Sequence, residues 1–193
     1  MNIFLEINKI DSQRKAMDEK LKLAADKMEI ADIVYKYCRA IDRMDRELLE
    51  SVFHEDSIHH HGEYEGPSSD FCNFAFDILS EMEFTQHLVG NLLIEVDGDT
   101  AWSEAYWTAY HRIAKGKESD MGFLAEHDSS IDEDVFVSGR YIDRFEKRNG
   151  EWKIAKRQGV HDWVRFEPAN EKGQLEAAGP TPSRSRQDPA YQR

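Results

Sequence analysis

The hydrophobic pattern of this chain changes its period near the middle, and that change limits the folds that the chain can adopt. In the first half, apolar residues recur at the three- and four-residue spacing of an amphipathic helix. From residue 86 onward they follow the two-residue alternation of strands, interrupted by turn sequences. Helices followed by a run of strands joined by hairpins are typical of an α+β domain.

Three helices are predicted in the first half. The longest spans residues 13–44 and carries one apolar stripe. Asp45 can cap a short second helix over residues 46–53, and a small hairpin is predicted at residues 57–65. The third helix is predicted to begin within Pro67–Ser69, because a proline followed by two serines suits a helix start.

The second half is predicted to form four long antiparallel strands. They cover residues 86–96, 100–113, 134–147 and 151–166. Two of the connections, DGD at 97–99 and NG at 149–150, have the composition of tight hairpin turns. The connection at residues 114–133 is long and polar, and loops of that length are more often functional than not.

The predicted architecture is a cone in which N-terminal helices pack in the concave face of a strongly curved antiparallel sheet, leaving an internal pocket. The strands carry apolar residues on both faces, so we expect a homo-oligomer, either a trimer or a dimer. Residues 1–166 are predicted to be a single domain, with residues 1–28 as a helical arm. Residues 167–193 are predicted to be a flexible tail or an arm that contacts another subunit.

Composition and charge exclude several classes of partner. The chain has 193 residues, enough for one domain with a sizeable core, and a formal net charge of -13. Such a surface repels nucleic acid and anionic membranes, which both need a basic patch. No apolar run reaches the ~20 residues that span a bilayer, and the N-terminus lacks the pattern of a signal peptide. We therefore expect a cytoplasmic protein whose partner is a hydrophobic small molecule.

Asp42 and His87 form the candidate catalytic pair. Asp42 lies near the end of the first helix, at the edge of its apolar stripe, where burial and the helix dipole both disfavour a charged carboxylate. His87 begins the first long strand and, by alternation, shares an apolar face with Val89 and Leu93. A carboxylate that orients an imidazole makes the ring a directed general base. Without that contact, each residue is an ordinary helix-terminal or core group.

Further candidate residues lie on the first helix and on the strands. Tyr37 lies near the centre of the apolar stripe. Arg140, in the middle of a strand, could hold a departing oxygen or a substrate carboxylate, or could form a cross-strand ion pair. The aromatic residues that suit either a flat, ring-shaped ligand or the core are Tyr106, Trp107, Tyr110 and Trp163.

No metal site and no cofactor site is predicted. His59, His60 and His61 cannot all bind one metal, because adjacent strand residues point to opposite faces. His54 adds neither an H-x-x-H nor an H-E-x-x-H spacing. The sequence has no nucleophile elbow, no phosphate-binding glycine loop and no dinucleotide fingerprint.

Three segments resemble the SnoaL-like branch of the nuclear-transport-factor-like superfamily, whose members are cystatin-like α+β cones. They are KYCRAIDRMDRELLESVF, TQHLVGNLLIEVDGDTAW and GRYIDRFEKRNGEWKIAKRQG, all within residues 29–166. The resemblance is to the dehydratase and dehydrochlorinase branch, which includes bile-acid dehydratases, scytalone dehydratase and hexachlorocyclohexane dehydrochlorinase.

The resemblance implies roles for several residues. Asp42 corresponds to the aspartate of the family's Asp–His dyad, and His87 corresponds to its general base. Tyr37 stands at a pocket tyrosine of the bile-acid enzymes, and Arg140 stands at a pocket arginine of the dehydrochlorinase. His161 replaces a pocket arginine of the bile-acid enzymes, so the group that assists the leaving oxygen differs from theirs.

Three functional hypotheses follow from the sequence. The first is a cofactor-independent lyase, most simply a dehydratase, that abstracts a proton from a hydrophobic alicyclic, steroid-like or polyketide-like hydroxy compound. In it, Tyr37, Arg140 or His161 would donate to the departing oxygen. The second is a protein that only binds a small molecule in the same pocket, and the third is an accessory subunit of a ring-hydroxylating oxygenase. The presence of both Asp42 and His87 favours the first, because a structural subunit does not need the pair.

Overall fold

The computed structural model describes residues 3–118, 125–170, 180 and 182–192, with side chains described from residue 6 onward. The helices are α1 (Ile3–Asp42), α2 (Arg46–Ser51) and α3 (Ser68–Ser80). The strands are β1 (Phe53–His61), β2 (Tyr64–Pro67), β3 (Phe84–Asp97), β4 (Thr100–Ile113), β5 (Glu133–Arg148) and β6 (Glu151–Pro168). A short 3-10 helix at Pro189–Tyr191 follows them. No helix among the described residues is long and apolar enough to cross a membrane.

The six strands form one sheet in the order β2-β1-β6-β5-β4-β3. The helices lie in its concave face, where α1 packs mainly on β3 and α3 packs on β1. The sheet is strongly curved but does not close, since β2 and β3 are its two edges in the described part of the chain. The predicted α+β cone is therefore confirmed. One pair, β1 with β6, runs parallel, which alternation cannot predict because it does not reveal which distant strands become neighbours.

Helix α1 begins at Ile3, well before the predicted start at residue 13. Its side chains from residue 6 to residue 25 are all exposed. Contact with the sheet begins at Asp26, which is buried and accepts hydrogen bonds from Lys147 Nζ at 2.7 Å and from Trp152 Nε1 at 2.8 Å. From there the apolar stripe enters the core and directs the end of the helix towards β3.

The turns and caps explain the next element boundaries. The Asp45 carboxylate accepts a hydrogen bond from the backbone N–H of Leu48 at 3.2 Å, which caps α2 as predicted. The two turn residues of the β5–β6 hairpin, Asn149 and Gly150, both have positive φ, at 55° and 84°. This is the conformation of a tight primed turn, for which an Asn-Gly sequence is well suited.

A β-bulge in β3 changes which of its residues face the core. The pairing with β4 shifts by one residue between Val89 and Leu92. Beyond the shift, Ile94 is buried and Leu93 is 63% exposed. The prediction that Leu93 shares the face of His87 is therefore wrong, because one inserted residue reverses the alternation for the rest of the strand.

The C-terminal residues 182–192 lie against the same chain, at the corner between α1 and α2. The Arg39 guanidinium donates to the backbone oxygen of Ala190 at 3.4 Å, and the Tyr191 hydroxyl donates to the Asp45 carboxylate at 2.7 Å. Contact between this tail and another subunit stays a prediction. Residues 171–179, 181 and 193 of the tail, and residues 119–124 of the predicted long loop, lie outside the described residues.

Candidate active site

A cavity of about 480 Å³ lies between α1, α3 and the concave face of the sheet. Small-molecule sites are typically roughly 300–1,000 Å³ in volume. The apolar part of its wall includes Ile41, Phe71, Phe74, Ile78, Leu79 and Val137. Only a few polar side chains line the cavity, and most of these side chains are histidines.

Asp42 and His87 are in direct contact through two hydrogen bonds. The Asp42 Oδ1 atom lies 2.8 Å from His87 Nδ1, and Oδ2 accepts the backbone N–H of His87 at 2.8 Å. The two side chains are only 11% and 8% exposed, respectively. The carboxylate therefore holds both the ring and the backbone of the same residue, which fixes the imidazole relative to the end of α1.

This contact selects one tautomer of His87. A carboxylate oxygen is an acceptor, so the hydrogen bond at 2.8 Å places a proton on Nδ1. The other ring nitrogen, Nε2, then carries the lone pair and is available to a ligand, since His87 lines the cavity. The His111 ring lies edge-on to His87 with 5.4 Å between the ring centroids.

The local sequence brings Asp42 to this position by ending α1 abruptly. Met44 has a φ of 52°, and the backbone N–H of Asp45 turns back to the oxygen of Ala40 at 2.9 Å. Helices commonly end at a residue in the left-handed region. Asp42 is thereby the last helical residue, with its carboxylate directed at the start of β3.

Two further histidines, His61 and His111, contribute to the inner wall. The absence of a side chain at Gly159 makes room for His61, because a Cβ atom there would lie 2.1 Å from His61 Nδ1. That nitrogen is buried, and no described residue hydrogen-bonds to it. Burial, followed by the neighbouring His161 and Arg157, lowers the pKa of His61 well below its usual range. Burial likewise lowers the pKa of His111.

A buried arginine beneath the cavity has its charge balanced by a carboxylate. Arg157 is fully buried and forms two hydrogen bonds to the Asp143 carboxylate, at 2.7 and 2.6 Å. Its guanidinium is stacked between the rings of Tyr37 and Tyr141, 3.9 and 4.3 Å from their centroids. Burial raises the pKa of the Tyr37 phenol, so Tyr37, which lines the cavity, stays protonated.

The substrate-binding residues predicted from the sequence separate into two groups. Trp107 is 3% exposed and forms part of the wall. His161 and Trp163 also line the cavity, at its mouth, where Trp163 is 49% exposed. Asp162 is the extra residue of a bulge opposite Ser138 and Gly139, and this bulge allows both neighbours to reach the same opening.

Arg140, Tyr106 and Tyr110 lie on the outer face of the sheet, which corrects their prediction as pocket residues. The Arg140 guanidinium contacts Glu104 at 3.0 Å, and Tyr106 is 48% exposed. The Tyr110 hydroxyl donates to the Asp134 carboxylate at 2.7 Å. The reason is strand alternation: the inward residues of β4 and β5 have odd numbers, so even-numbered neighbours point away from the cavity.

The same alternation places on the inner face two residues that are absent from the predicted site. His111 has the parity of Trp107 on β4 and is 3% exposed on the inner face. Tyr141 likewise follows from the parity of β5. His61 has no comparable signal, because the space for its ring depends on a glycine in a strand that is distant in the sequence. Among the described residues, no group of three or more His, Cys, Asp or Glu side chains could hold a metal ion.

A curved sheet wrapped around helices, with an apolar cavity and a buried Asp–His contact inside, defines a cystatin-like α+β cone. The model of the SnoaL-like domain matches residues 23–158, and the chain belongs to this family. The resemblance seen in the sequence is thereby confirmed. No curated protein sequence matches this chain.

Several solved structures share the fold. One is the hexachlorocyclohexane dehydrochlorinase LinA type 2, with a TM-score of 0.66, 18% identity, and coverage of 82% of this chain and 99% of that chain. A candidate scytalone dehydratase from Novosphingobium aromaticivorans has a TM-score of 0.60, 21% identity, and coverage of 79% and 97%. A protein of unknown function with a cystatin-like fold, from Nostoc punctiforme, has a TM-score of 0.54, 21% identity, and coverage of 72% and 92%. At these identities the likeness concerns the fold alone.

The buried histidines predict that the protein loses stability in mild acid. Burial holds the pKa values of His59, His61 and His111 well below the usual value, whereas in the unfolded chain each ring takes up a proton near pH ~6.5. Below that pH the unfolded state binds more protons than the folded state. The free energy of unfolding should therefore decrease as the pH falls from 6.5 to 5, by up to ~1.4 kcal/mol per pH unit for each histidine.

Denaturant titrations at several pH values measure this slope. His59→Phe removes one of the three rings and should make the slope shallower. His60→Phe, the same change at the adjacent and partly exposed position, is the matched control. A free energy of unfolding that is constant or increases over this pH range would contradict the prediction.

Proposed function

We propose that this protein is a cofactor-independent lyase that abstracts a proton from a hydrophobic hydroxy compound, as a dehydratase does. The substrate class that we infer is alicyclic, steroid-like or polyketide-like. The observation that carries the proposal is the pair of 2.8 Å hydrogen bonds between Asp42 and His87 beside an apolar cavity. A base that is oriented by a carboxylate and protected from bulk water is suited to removing a proton from carbon.

In the proposed reaction, His87 is the base and Asp42 is its orienting partner. The neutral ring accepts the C–H proton on Nε2, and the Asp42 carboxylate stabilises the positive charge that develops on the ring. The proton on Nδ1 stays in its hydrogen bond to Asp42. The substrate loses a proton and a hydroxyl group and gains a double bond. No step in this scheme requires an oxidant or a reductant.

The departing hydroxyl group needs a proton to leave as water. Tyr37, which lines the cavity and whose raised pKa keeps its phenol protonated, would donate a hydrogen bond to the departing oxygen, and the protonated His87 ring would return the proton, so that the oxygen leaves as water and the ring is neutral again. His61 and His161, whose ring centroids lie 4.6 Å apart, are alternative donors of that hydrogen bond through their neutral rings. Arg140 is no longer proposed as a donor, since its guanidinium lies on the other face of the sheet.

The names of the structural relatives support an elimination reaction. One relative is a hexachlorocyclohexane dehydrochlorinase, which removes a halide, and another is a candidate scytalone dehydratase, which removes water. Both reactions remove a proton together with a leaving group. Because this chain is only 18% and 21% identical to them, their reactions support a reaction class for this protein and not a substrate.

Substitution of either member of the pair should abolish most of the turnover. His87→Ala should lower the turnover number ~10²–10⁴-fold, the contribution expected of a positioned base. Asp42→Asn should cause a loss of nearly the same size, because the amide has one acceptor oxygen for the two N–H groups of His87 and no negative charge to stabilise the protonated ring. The assay is the increase in ultraviolet absorbance of a new conjugated double bond, measured over a panel of steroid and polyketide alcohols.

Arg144→Met is the matched control for these variants, because Arg144 points outward from β5 and pairs with Glu146 at 2.6 Å. It removes a charged side chain from the outer face of the same domain and should leave turnover unchanged. Full turnover in His87→Ala would exclude the proposed mechanism. Tight binding of a panel compound without turnover, by the wild type and by the variants alike, would identify a protein that only binds its ligand.

The charges around the cavity favour an uncharged substrate. None of the described residues that line the cavity is a lysine or an arginine, whereas the mouth carries Glu63 and Asp162, the latter paired with Arg140 at 3.5 Å. Arg157 lies beneath the wall, but its charge is balanced by Asp143 at 2.6 Å. A substrate carboxylate would therefore lose its hydration without gaining a cationic partner.

A neutral steroid alcohol should bind more tightly than the carboxylic acid with the same ring system. We expect a ratio of dissociation constants of about tenfold or more at pH 7.5, equivalent to ~1.4 kcal/mol. Isothermal titration calorimetry measures both constants. The double variant Glu63→Gln with Asp162→Asn should reduce the ratio, and tighter binding of the acid by the wild type would contradict this selectivity.

We also propose that the protein is cytoplasmic and forms a trimer or a dimer through the outer face of its sheet. Large apolar side chains on this face are at least 40% exposed, namely Leu88, Leu93, Trp102, Tyr106 and Ile142. A surface of this kind is typical of an interface. Light scattering should give a mass of two or three chains, and Trp102→Lys should shift it towards one. A monomeric wild type at micromolar concentration would contradict the proposal.

A further inference from the structure

The C-terminal segment, residues 182–192, folds back onto the end of the domain that holds the candidate active site. Its turn is organised by Asp188, whose carboxylate accepts the backbone N–H groups of Ser183 at 3.0 Å and Ala190 at 2.9 Å. The guanidinium of Arg43 lies 3.4 Å from the same carboxylate. The segment is therefore an ordered unit that is attached to the residue directly after α1.

A second attachment fixes the corner between α1 and α2. The Asp45 carboxylate, which caps α2, also accepts hydrogen bonds from Arg186 at 2.8 Å and from the Tyr191 hydroxyl at 2.7 Å. On α1, the guanidinium of Arg39 stacks on the Tyr191 ring at 4.7 Å from its centroid. The end of α1 and the start of α2 are thus both held by residues 182–192.

Arg184 extends this attachment to the sheet. One of its guanidinium nitrogens donates to the backbone oxygens of Leu79, at 2.9 Å, and of Met82, at the end of α3 and just before β3. The other lies 3.3 Å from the sulfur of Met44, just after α1. A single side chain therefore joins the connection that follows α1, which carries the proposed orienting carboxylate, to the connection that precedes β3, which carries the proposed base.

The backbone next to this contact is held in an unfavourable conformation. Among the described residues, Met44 and Asn149 are the non-glycine residues with positive φ, and Asn149 belongs to a hairpin turn that favours this conformation. Met44 is the left-handed residue that ends α1, a position usually occupied by glycine because a side chain is strained there. Unfavourable backbone conformations persist where the surroundings hold them, and they are concentrated at functional sites. The contact between Arg184 and the Met44 side chain provides such a restraint.

The charge of Arg184 also acts on the candidate active site. Burial lowers the pKa of Arg184, and the negative charge of Asp42 opposes that shift. The pKa of His111, which is lowered mainly by burial, is lowered further by the charge of Arg184. The guanidinium is therefore close enough to interact with both groups beside His87.

We propose that Arg184 is a positioning residue, which holds the end of α1 and the start of β3 at the separation that the two Asp42–His87 hydrogen bonds require. Its catalytic consequence rests on the proposed lyase function. Its structural consequence does not, because the geometry of the pair can be measured without a substrate.

The exchange rate of the His87 backbone amide tests the proposal in the full-length chain. This N–H donates to the Asp42 carboxylate at 2.8 Å, so its protection from solvent exchange reports directly on the contact. In Arg184→Met, we expect the exchange of this amide to accelerate about tenfold or more, while the amide of Ile154 in β6 changes less than about threefold. Nitrogen chemical shifts of the His87 ring should change from one tautomer to a mixture of two.

Two further variants serve as controls. Arg186→Met removes another arginine of the same segment that contacts Asp45 but not β3, and it should leave the His87 amide protected. Arg184→Lys keeps the charge and a donor for the α3 carbonyl groups, and it should restore most of the protection. If Arg184→Met does not fold, Arg184→Gln replaces it.

Two results would overturn the proposal. In the first, the His87 amide of Arg184→Met exchanges as slowly as that of the wild type. In the second, the amides of His87 and Ile154 accelerate equally, since Arg184 would then stabilise the fold as a whole. Neither result depends on turnover. A failure of the lyase proposal would instead appear as full activity in His87→Ala, so the failures of the two proposals can be told apart.

Discussion

The contact between one carboxylate and one histidine determines what the rest of this structure can do. Asp42 holds both the ring nitrogen and the backbone N–H of His87, so the geometry depends on how the last turn of α1 meets the first residues of β3. Those two elements are far apart in the sequence, and only the packing of the long helix into the curved sheet brings them together. The cavity then supplies the dry surroundings in which an oriented imidazole is an effective base.

The surroundings of the pair are organised around neutral groups. The buried histidines are held uncharged, the Tyr37 phenol stays protonated, and Arg157 is balanced by Asp143. In the proposed mechanism such a cavity stabilises positive charge at one place, the His87 ring, with Asp42 as its counter-ion. This arrangement favours a reaction in which the only charge that develops inside the protein is that of the protonated base.

The sequence was sufficient for the fold class, most element boundaries and the pair of residues at the centre of the site. These features depend on local period, turn composition and short motifs, all of which are visible in one chain. The failures had two physical causes. Residue type, and for Arg140 the family resemblance, favours the pocket for Arg140, Tyr106 and Tyr110, whereas alternation along β4 and β5 places them on the other face of the sheet. The bulge in β3, the space beside Gly159 and the attachments of Arg184 depend on contacts between distant segments, which no local pattern contains.

The parallel pairing of β1 with β6 has a consequence for how this protein matures. Phe53 pairs with Ile154, so the first strand of the sheet obtains this neighbour only after most of the chain has been synthesised. Contacts between residues this far apart in the sequence form slowly, because the entropy cost of closing the long loop comes before the contacts stabilise the chain. The side of the cavity that His61 lines therefore cannot form before β6 is present, since β6 joins β1 to the rest of the sheet.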